Sequence, residues 1–326
     1  MTRVGKTFRR HPLASALAVA GLVYVAIAAQ FFVTAPPLEA EDGFQQYAYV
    51  RWLLSQHSLP LVGQELGTIA PRQEAAQPPL YYALAAAVET PVNVGDFDRV
   101  AILNPAGGAK LAGPNQNAVL HRPFSWPPHG AELGMRLVEL LSMACGLVAV
   151  GSAVVLARQY VPARPVLWMT SGLAVAADSA FDYHAGQINN DNLVIALSSV
   201  TIVLLALWLR KASPKCAWLS AFSLGLAVLA KFNAIGLAAC YVLVALLVHK
   251  SARRRWLALV PLAVCLVVLD GWWMVRGALL YGDPTSMYVL AHAYNPKYQP
   301  FGLDNLRLTP AGAFVDEQRH QHVASR

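Results

Sequence analysis

Residues 13–33 read LASALAVAGLVYVAIAAQFFV, twenty-one positions without a charged side chain. At 1.5 Å per helical residue such a run reaches about 30 Å, the thickness of a bilayer's hydrocarbon core. Upstream stand Arg3, Lys6, Arg9 and Arg10. A basic start followed by an apolar run also opens a cleaved signal peptide, and Ala26, Ala28 and Ala29 are small enough for a peptidase. Signal cores, however, are only about 7–15 residues long, so this run reads as an uncleaved first span.

The same pattern recurs downstream. The chain is 56% hydrophobic and only 13% charged, against about 25% charged in soluble domains. Too few charges remain to cover a water-facing surface. Further spans are expected at about 135–157, 165–181, 193–209 and 256–275. The block 216–248 is too long for one span and is interrupted by Lys231-Phe232-Asn233. It reads as a hairpin of two, 216–230 and 234–248. The expected fold class is all-α, a polytopic membrane helical bundle of about seven spans, forming a single domain over 1–326.

The net charge of +7 is gathered in short clusters between apolar blocks, which reads as topology and not as a nucleic-acid surface. Arg158 and Arg164 follow span two. Arg210, Lys211 and Lys215 follow span four, and Lys250, Arg253, Arg254 and Arg255 follow span six. With seven spans, these and the N-terminal cluster share one side. The stretch Asp178–Asn192 on the other side holds no Lys or Arg. The positive-inside rule therefore expects a multi-pass protein of the cell (inner) membrane with a cytoplasmic N-terminus and an extracytoplasmic first loop, 34–133. Cys145, Cys216, Cys240 and Cys265 lie in or at the edge of apolar blocks without paired spacing, so neither a disulfide framework nor a zinc site is expected.

Loops of this length are usually functional. Two surface helices are expected in it. One places Tyr47, Val50 and Leu54 on one face, leaving Gln46 and Arg51 to polar surroundings. The other is Pro79–Val88, opened by a proline suited to a first turn. Glu41 and Asp42 stand just beyond span one, where a carboxylate could take a proton from an attacking hydroxyl. Asp42 equally suits a helix cap. Lys231 and Arg276 fall at the outer ends of spans, where a cation could stabilise a leaving phosphate or simply snorkel to the interface. Asp178, Asp182, His184 and Asp191 make an acidic outer turn that reads as solvated, though it could hold a divalent cation; no other cofactor is expected. Glu139 and Asp270 lie inside spans, where each is expected to pair with a polar group across the bundle. His57, His121 and His129 lack ligand spacing and read as surface residues.

The stretch Glu41-Asp42-Gly43-Phe44-Gln45-Gln46-Tyr47-Ala48-Tyr49-Val50, running on to Leu59-Pro60, resembles the first loop of the GT-C membrane glycosyltransferases. The branch it is most similar to holds the bacterial protein O-mannosyltransferases and aminoarabinose transferases. Gln77-Pro78-Pro79-Leu80-Tyr81-Tyr82 resembles that branch's second surface helix, and Asn189-Asn190-Asp191-Asn192 its outer turn before span four. Gly271-Trp272-Trp273-Met274-Val275-Arg276 with Tyr281-Gly282-Asp283-Pro284 resembles the end of span seven. The order and the placement of these stretches carry the resemblance more than any one motif does.

The resemblance implies sugar transfer from a polyprenyl-phosphate donor to a glycan, lipid or protein acceptor, with no nucleic-acid partner. It implies Glu41 and Asp42 as catalytic residues; the candidate substrate-binding residues are Gln45, Gln77, Tyr81, Asn190 and Asp191 of the matching stretches, His184 of the acidic outer turn, and Lys231 and Arg276 as the cations at the outer ends of spans. The acidic pair reads Glu-Asp where the family more often has Asp-Glu, and Gln45 stands where a histidine often follows. The polar tail 281–326 is expected to be divergent or shortened relative to the family. A transporter is the competing class, but the chain shows no internal repeat and no matched pair of Gly/Pro-broken spans. A truncated or inactive relative acting as a partner subunit is the other.

Overall fold

A computed structural model of the chain describes residues 11–40, 42–67, 69–104, 117, 119–120 and 127–294, with residues 292–294 described by backbone alone. Glu41, Gly107, His121, the N-terminal basic cluster and the chain beyond 294 lie outside the described residues.

The described residues form a membrane helical bundle, and their only β-structure is two isolated bridges, Leu66–Ile69 and Leu103–Val119. Helix α1 (Pro12–Thr34) begins at a proline, whose missing N–H costs nothing in a first turn, and stops before Pro36-Pro37. The loop that follows holds α2 (Gly43–Gln56), a 3-10 turn (Arg72–Ala76), α3 (Leu80–Glu89) and the single turn α4 (Phe97–Val100). The bundle resumes with α5 (Gly130–Tyr160), α6 (Pro165–Ala176), the short α7 (Ser179–Ala185), α8 (Asp191–Lys211) and α9 (Pro214–Ala230). A 3-10 turn (Phe232–Gly236), α10 (Leu237–Val248), α11 (Ala252–Tyr281) and α12 (Met287–Tyr294) complete it.

Four of these helices, α1, α5, α8 and α11, are long and apolar enough to cross a bilayer. The remaining expected spans fall on shorter helices. The stretch 165–181 is not one helix. α6 stops at Ala176, and the Asp178 carboxylate accepts the N–H groups of Ala180 and Phe181 to start α7. An aspartate that captures free N–H groups opens a new helix in preference to continuing the old one. α6 alone has twelve residues, about 18 Å of rise. The block 216–248 breaks at Lys231, whose backbone is extended at φ −159° and ψ 127°.

α5 packs against α1, α6 and α8; α9 lies between α8 and α11; α10 touches α8 and α11. Close approach is decided locally. A Cβ on Gly146 of α5 would stand 2.1 Å from the Tyr24 hydroxyl, and that hydroxyl donates to the Met143 carbonyl at 2.8 Å. Only glycine lets α1 reach this carbonyl. Outward-facing Leu22, Val267 and Leu279 are 70%, 70% and 81% exposed, a liability in water and the natural surface toward lipid.

The long loop is a packed layer. α2 rests on α3 and the 3-10 turn, and α3 rests on α5 and α9. As a result α2 is not the one-faced surface helix expected. Gly43, Phe44, Gln46, Tyr47, Ala48, Tyr49, Val50 and Trp52 are all buried, because the loop's own elements cover the side that the hydrophobic pattern leaves to solvent. The second helix starts at Leu80, one residue past the expected proline.

Candidate active site

The loop layer meets the N-terminal end of α8, and the polar residues gather there. Asp42 precedes α2 in the left-handed conformation, φ 58°. It makes no cap bond to the first turn; its Oδ1 accepts from Gln73 Nε2 at 2.8 Å. The neighbouring Glu74 is 3% exposed, and its Oε2 accepts from the Tyr82 hydroxyl at 2.6 Å. Burial pushes the Glu74 carboxyl up to about 7; the Tyr82 bond and Lys231 oppose the rise, while Asp42 and Asp191 add to it. Asp42, Asp191 and Lys231 therefore all lie within electrostatic reach of Glu74.

The turn before α8 is tied down by three side chains. The Asn190 N–H donates to Gln46 Oε1 at 2.6 Å, and Gln46 Nε2 reaches Asn189 Oδ1 at 3.4 Å. Asn190 Nδ2 donates to the Tyr82 hydroxyl at 3.0 Å, and the Asn189 N–H to the Tyr81 hydroxyl at 3.1 Å. Tyr81 also shares a 2.8 Å bond with Ser142 of α5. Gln46, expected in polar surroundings, finds them inside the protein. Arg51 lies 3.6 Å from the buried Glu89, which also accepts from Tyr47 at 2.8 Å. At the far edge, Lys231 Nζ bonds both Asp191 oxygens, at 2.7 and 2.8 Å. The helix break at Lys231 is what aims it back at α8.

Arg276 takes a different place. It lies within α11, five residues before the helix ends at Tyr281. Nη2 donates to the Pro60 carbonyl at 2.8 Å, and the guanidinium stands 4.8 Å from the Trp273 ring. Nη1 is buried without a hydrogen bond among the described residues. The link to the acids runs through Tyr49, which stacks on Tyr82 at 4.0 Å and feels both Arg276 and Glu74.

The other expected residues fall as follows. Gln45 is half-buried on α2. Gln77 is buried, and its N–H closes the 3-10 turn on the Glu74 carbonyl at 2.9 Å. His184 joins the α8 turn through its backbone, its carbonyl accepting from Asn192 Nδ2 at 2.9 Å. Asp178 serves as a helix cap and Asp191 pairs with Lys231. Among the described residues no three His, Cys, Asp or Glu side chains converge as a metal site would require. Within the bundle, Glu139 pairs with Arg136 of its own helix at 2.8 Å. Asp270 packs against Gly225, and neither of its oxygens has a hydrogen-bond partner among the described residues, contrary to the expected cross-bundle pairing.

Sequence reasoning passed over Glu74, Gln73 and Tyr82. The available signal was an acid three residues before Gln77-Pro78-Pro79, followed by the apolar pair Ala75-Ala76.

Residues 131–274 match the family model of the dolichyl-phosphate-mannose-protein mannosyltransferases, within the GT-C superfamily. The match runs from α5 through most of α11 and includes Asn190, Asp191 and Lys231, while Asp42, Glu74 and Arg276 lie outside it. It implies a glycosyltransferase of the GT-C type that uses a lipid-linked sugar donor. No curated protein and no solved structure matches the chain.

Proposed function

We propose that this protein transfers a sugar from a polyprenyl-phosphate donor to an acceptor hydroxyl on the extracytoplasmic side of the inner membrane. Asp42 is the general base, and the acceptor a glycan, lipid or protein. One observation supports the reading: Asp42, Asp191 and Lys231 all lie within electrostatic reach of the buried Glu74, where the loop layer covers the α8 end of the bundle. That is the depth at which a carrier held in lipid can present its head group to an acceptor arriving from water.

In the proposed reaction the acceptor oxygen bonds to the anomeric carbon as the bond from that carbon to the phosphate oxygen breaks. The hydroxyl proton passes to the Asp42 carboxylate. The electron pair of the broken bond stays on the phosphate. Lys231 and Arg276 are the cations available to that charge, and Arg276 Nη1 is uncommitted among the described residues. Glu74, held near neutral pH by burial, keeps one negative charge fewer beside Asp42 while it is protonated. Gln46, Tyr81 and Asn190 act as positioning residues that fix the α8 turn.

Glu41→Gln and Asp42→Asn, made singly in purified protein with a polyprenyl-phosphate sugar, test the assignment. Loss of a general base costs about 10²–10⁴ in rate. Asp42→Asn should show that loss with folding intact. Transfer at the parental rate by both variants refutes the site.

A further inference from the structure

The opposite end of the bundle, where α8 finishes and α9 begins, carries a second feature. A hollow of about 290 Å³ lies between the α8–α9 turn, the end of α10 and the first turns of α11. Its floor is Trp208, only 1% exposed. The Tyr241 ring packs on Trp208 at 4.9 Å. The Tyr241 hydroxyl lies 3.2 Å from the Ala217 carbonyl and 3.1 Å from that of Ala258, holding α9 and α11 at a set distance. The hollow is thus built into the packing. Trp218, Leu257 and Pro261 give it apolar walls, and His249 and Arg254 stand at its polar rim. Arg255 Nε donates to the His249 carbonyl at 2.7 Å and steadies that rim.

Charge and polarity select the occupant. The framing segments 210–215 and 249–255 carry Arg210, Lys211, Lys215, Lys250, Arg253, Arg254 and Arg255, and no acid. The apolar wall continues into the lipid-facing side of α11, where Val260 and Val264 are 45% and 41% exposed. A molecule that satisfies both must be hydrocarbon at one end and anionic at the other. Basic pockets between membrane helices bind anionic lipid heads, and tryptophan favours the head-group level.

We propose that this hollow is a binding site for an anionic phospholipid, with the phosphate at Arg254 and an acyl chain against Trp218, Leu257 and Pro261. The occupant bridges the α8–α9 turn and the start of α11 and so braces the two helices whose far ends carry Asp191 and Arg276. The site is independent of the reaction proposed above.

The test uses the full chain in detergent, titrated with phosphatidylglycerol or phosphatidylcholine. Lipid retained through washing is counted by native mass spectrometry, and the unfolding midpoint is followed in parallel. Arg254→Gln removes the rim charge, and Val260→Trp fills the hollow without changing charge. Arg164→Gln removes an equal charge from the α5–α6 turn, away from the hollow. Phosphatidylglycerol should be retained by the parent and by Arg164→Gln and should raise their midpoints. Its affinity should fall about five- to tenfold in Arg254→Gln, as expected for one basic contact near a membrane surface, and likewise in Val260→Trp. Equal retention of phosphatidylcholine overturns the proposal, as does an equal loss in Arg164→Gln or unchanged binding in Arg254→Gln. So does equal stabilisation by free glycerol 3-phosphate. Arg254 is exposed, so its variant carries the test alone if Val260→Trp fails to fold.

Discussion

Replacing Glu74 by glutamine should flatten the pH dependence of stability. The folded carboxyl titrates at about 7 against an ordinary value of 4.5, and burial is the first cause. That gap corresponds to roughly 3 kcal/mol against the ionised form. The sign follows from the raised value. Below 4.5 the group is protonated in both folded and unfolded chains and costs nothing. As pH rises from there to about 7 the unfolded chain ionises first, and the folded state loses stability across that window. Above it the loss is complete and constant. Glutamine has no proton to lose but keeps an oxygen to accept the Tyr82 hydroxyl, so the 2.6 Å bond has a successor. Thermal unfolding in detergent at about pH 5 and about pH 8 reads the effect. The parent's midpoint should drop relative to Glu74→Gln at the higher pH, with the two closest at the lower. Infrared difference spectra should show a protonated carboxyl band that the variant lacks and that fades through neutrality. Parallel midpoints at both pH values, together with no such band, refute the reasoning about Glu74.

Three further outcomes are expected. Lys231→Met should lower transfer while changing stability by less than about 1 kcal/mol, since the Asp191 pair is partly exposed at 23% and 40%; a large loss of stability with unchanged turnover would reverse that assignment. Gly146→Val should destabilise by about 1–3 kcal/mol, because its Cβ meets the Tyr24 hydroxyl at 2.1 Å, and Tyr24→Phe in the same chain should recover part of the loss; an unfolding midpoint equal to the parent's would count against the α1–α5 contact. Single cysteines at positions 107 and 251, in a background without the four native ones, should react with an impermeant probe from opposite sides of the membrane. Labelling from one side would end the seven-span orientation.

The membrane helical class was legible in the sequence because it rests on a local quantity, the length of uncharged runs such as 13–33 and 140–157. Helix punctuation was also largely local: Pro12 and Pro165 open helices, and Lys231-Phe232-Asn233 interrupts one. The break at Asp178 is local too, but it competes with an apolar run, and a single side chain accepting two N–H groups outweighs the run's continuity. The site is another matter. Its hydrogen bonds join Gln46 to Asn190, Tyr81 to Asn189 and Tyr82 to Asn190, across more than a hundred positions of chain. Its electrostatics join Glu74 to Lys231. Sequence spacing carries no record of such contacts, since periodicity describes one element and not its neighbour. By pattern alone Glu74 is an ordinary loop acid and Gln46 a solvent-facing polar residue. Only when α2, the 3-10 turn and α3 close over the end of α8 does burial change what each can do. The polar residues of the helix then have to find partners inside the protein, and a carboxylate cut off from water holds its proton to neutral pH.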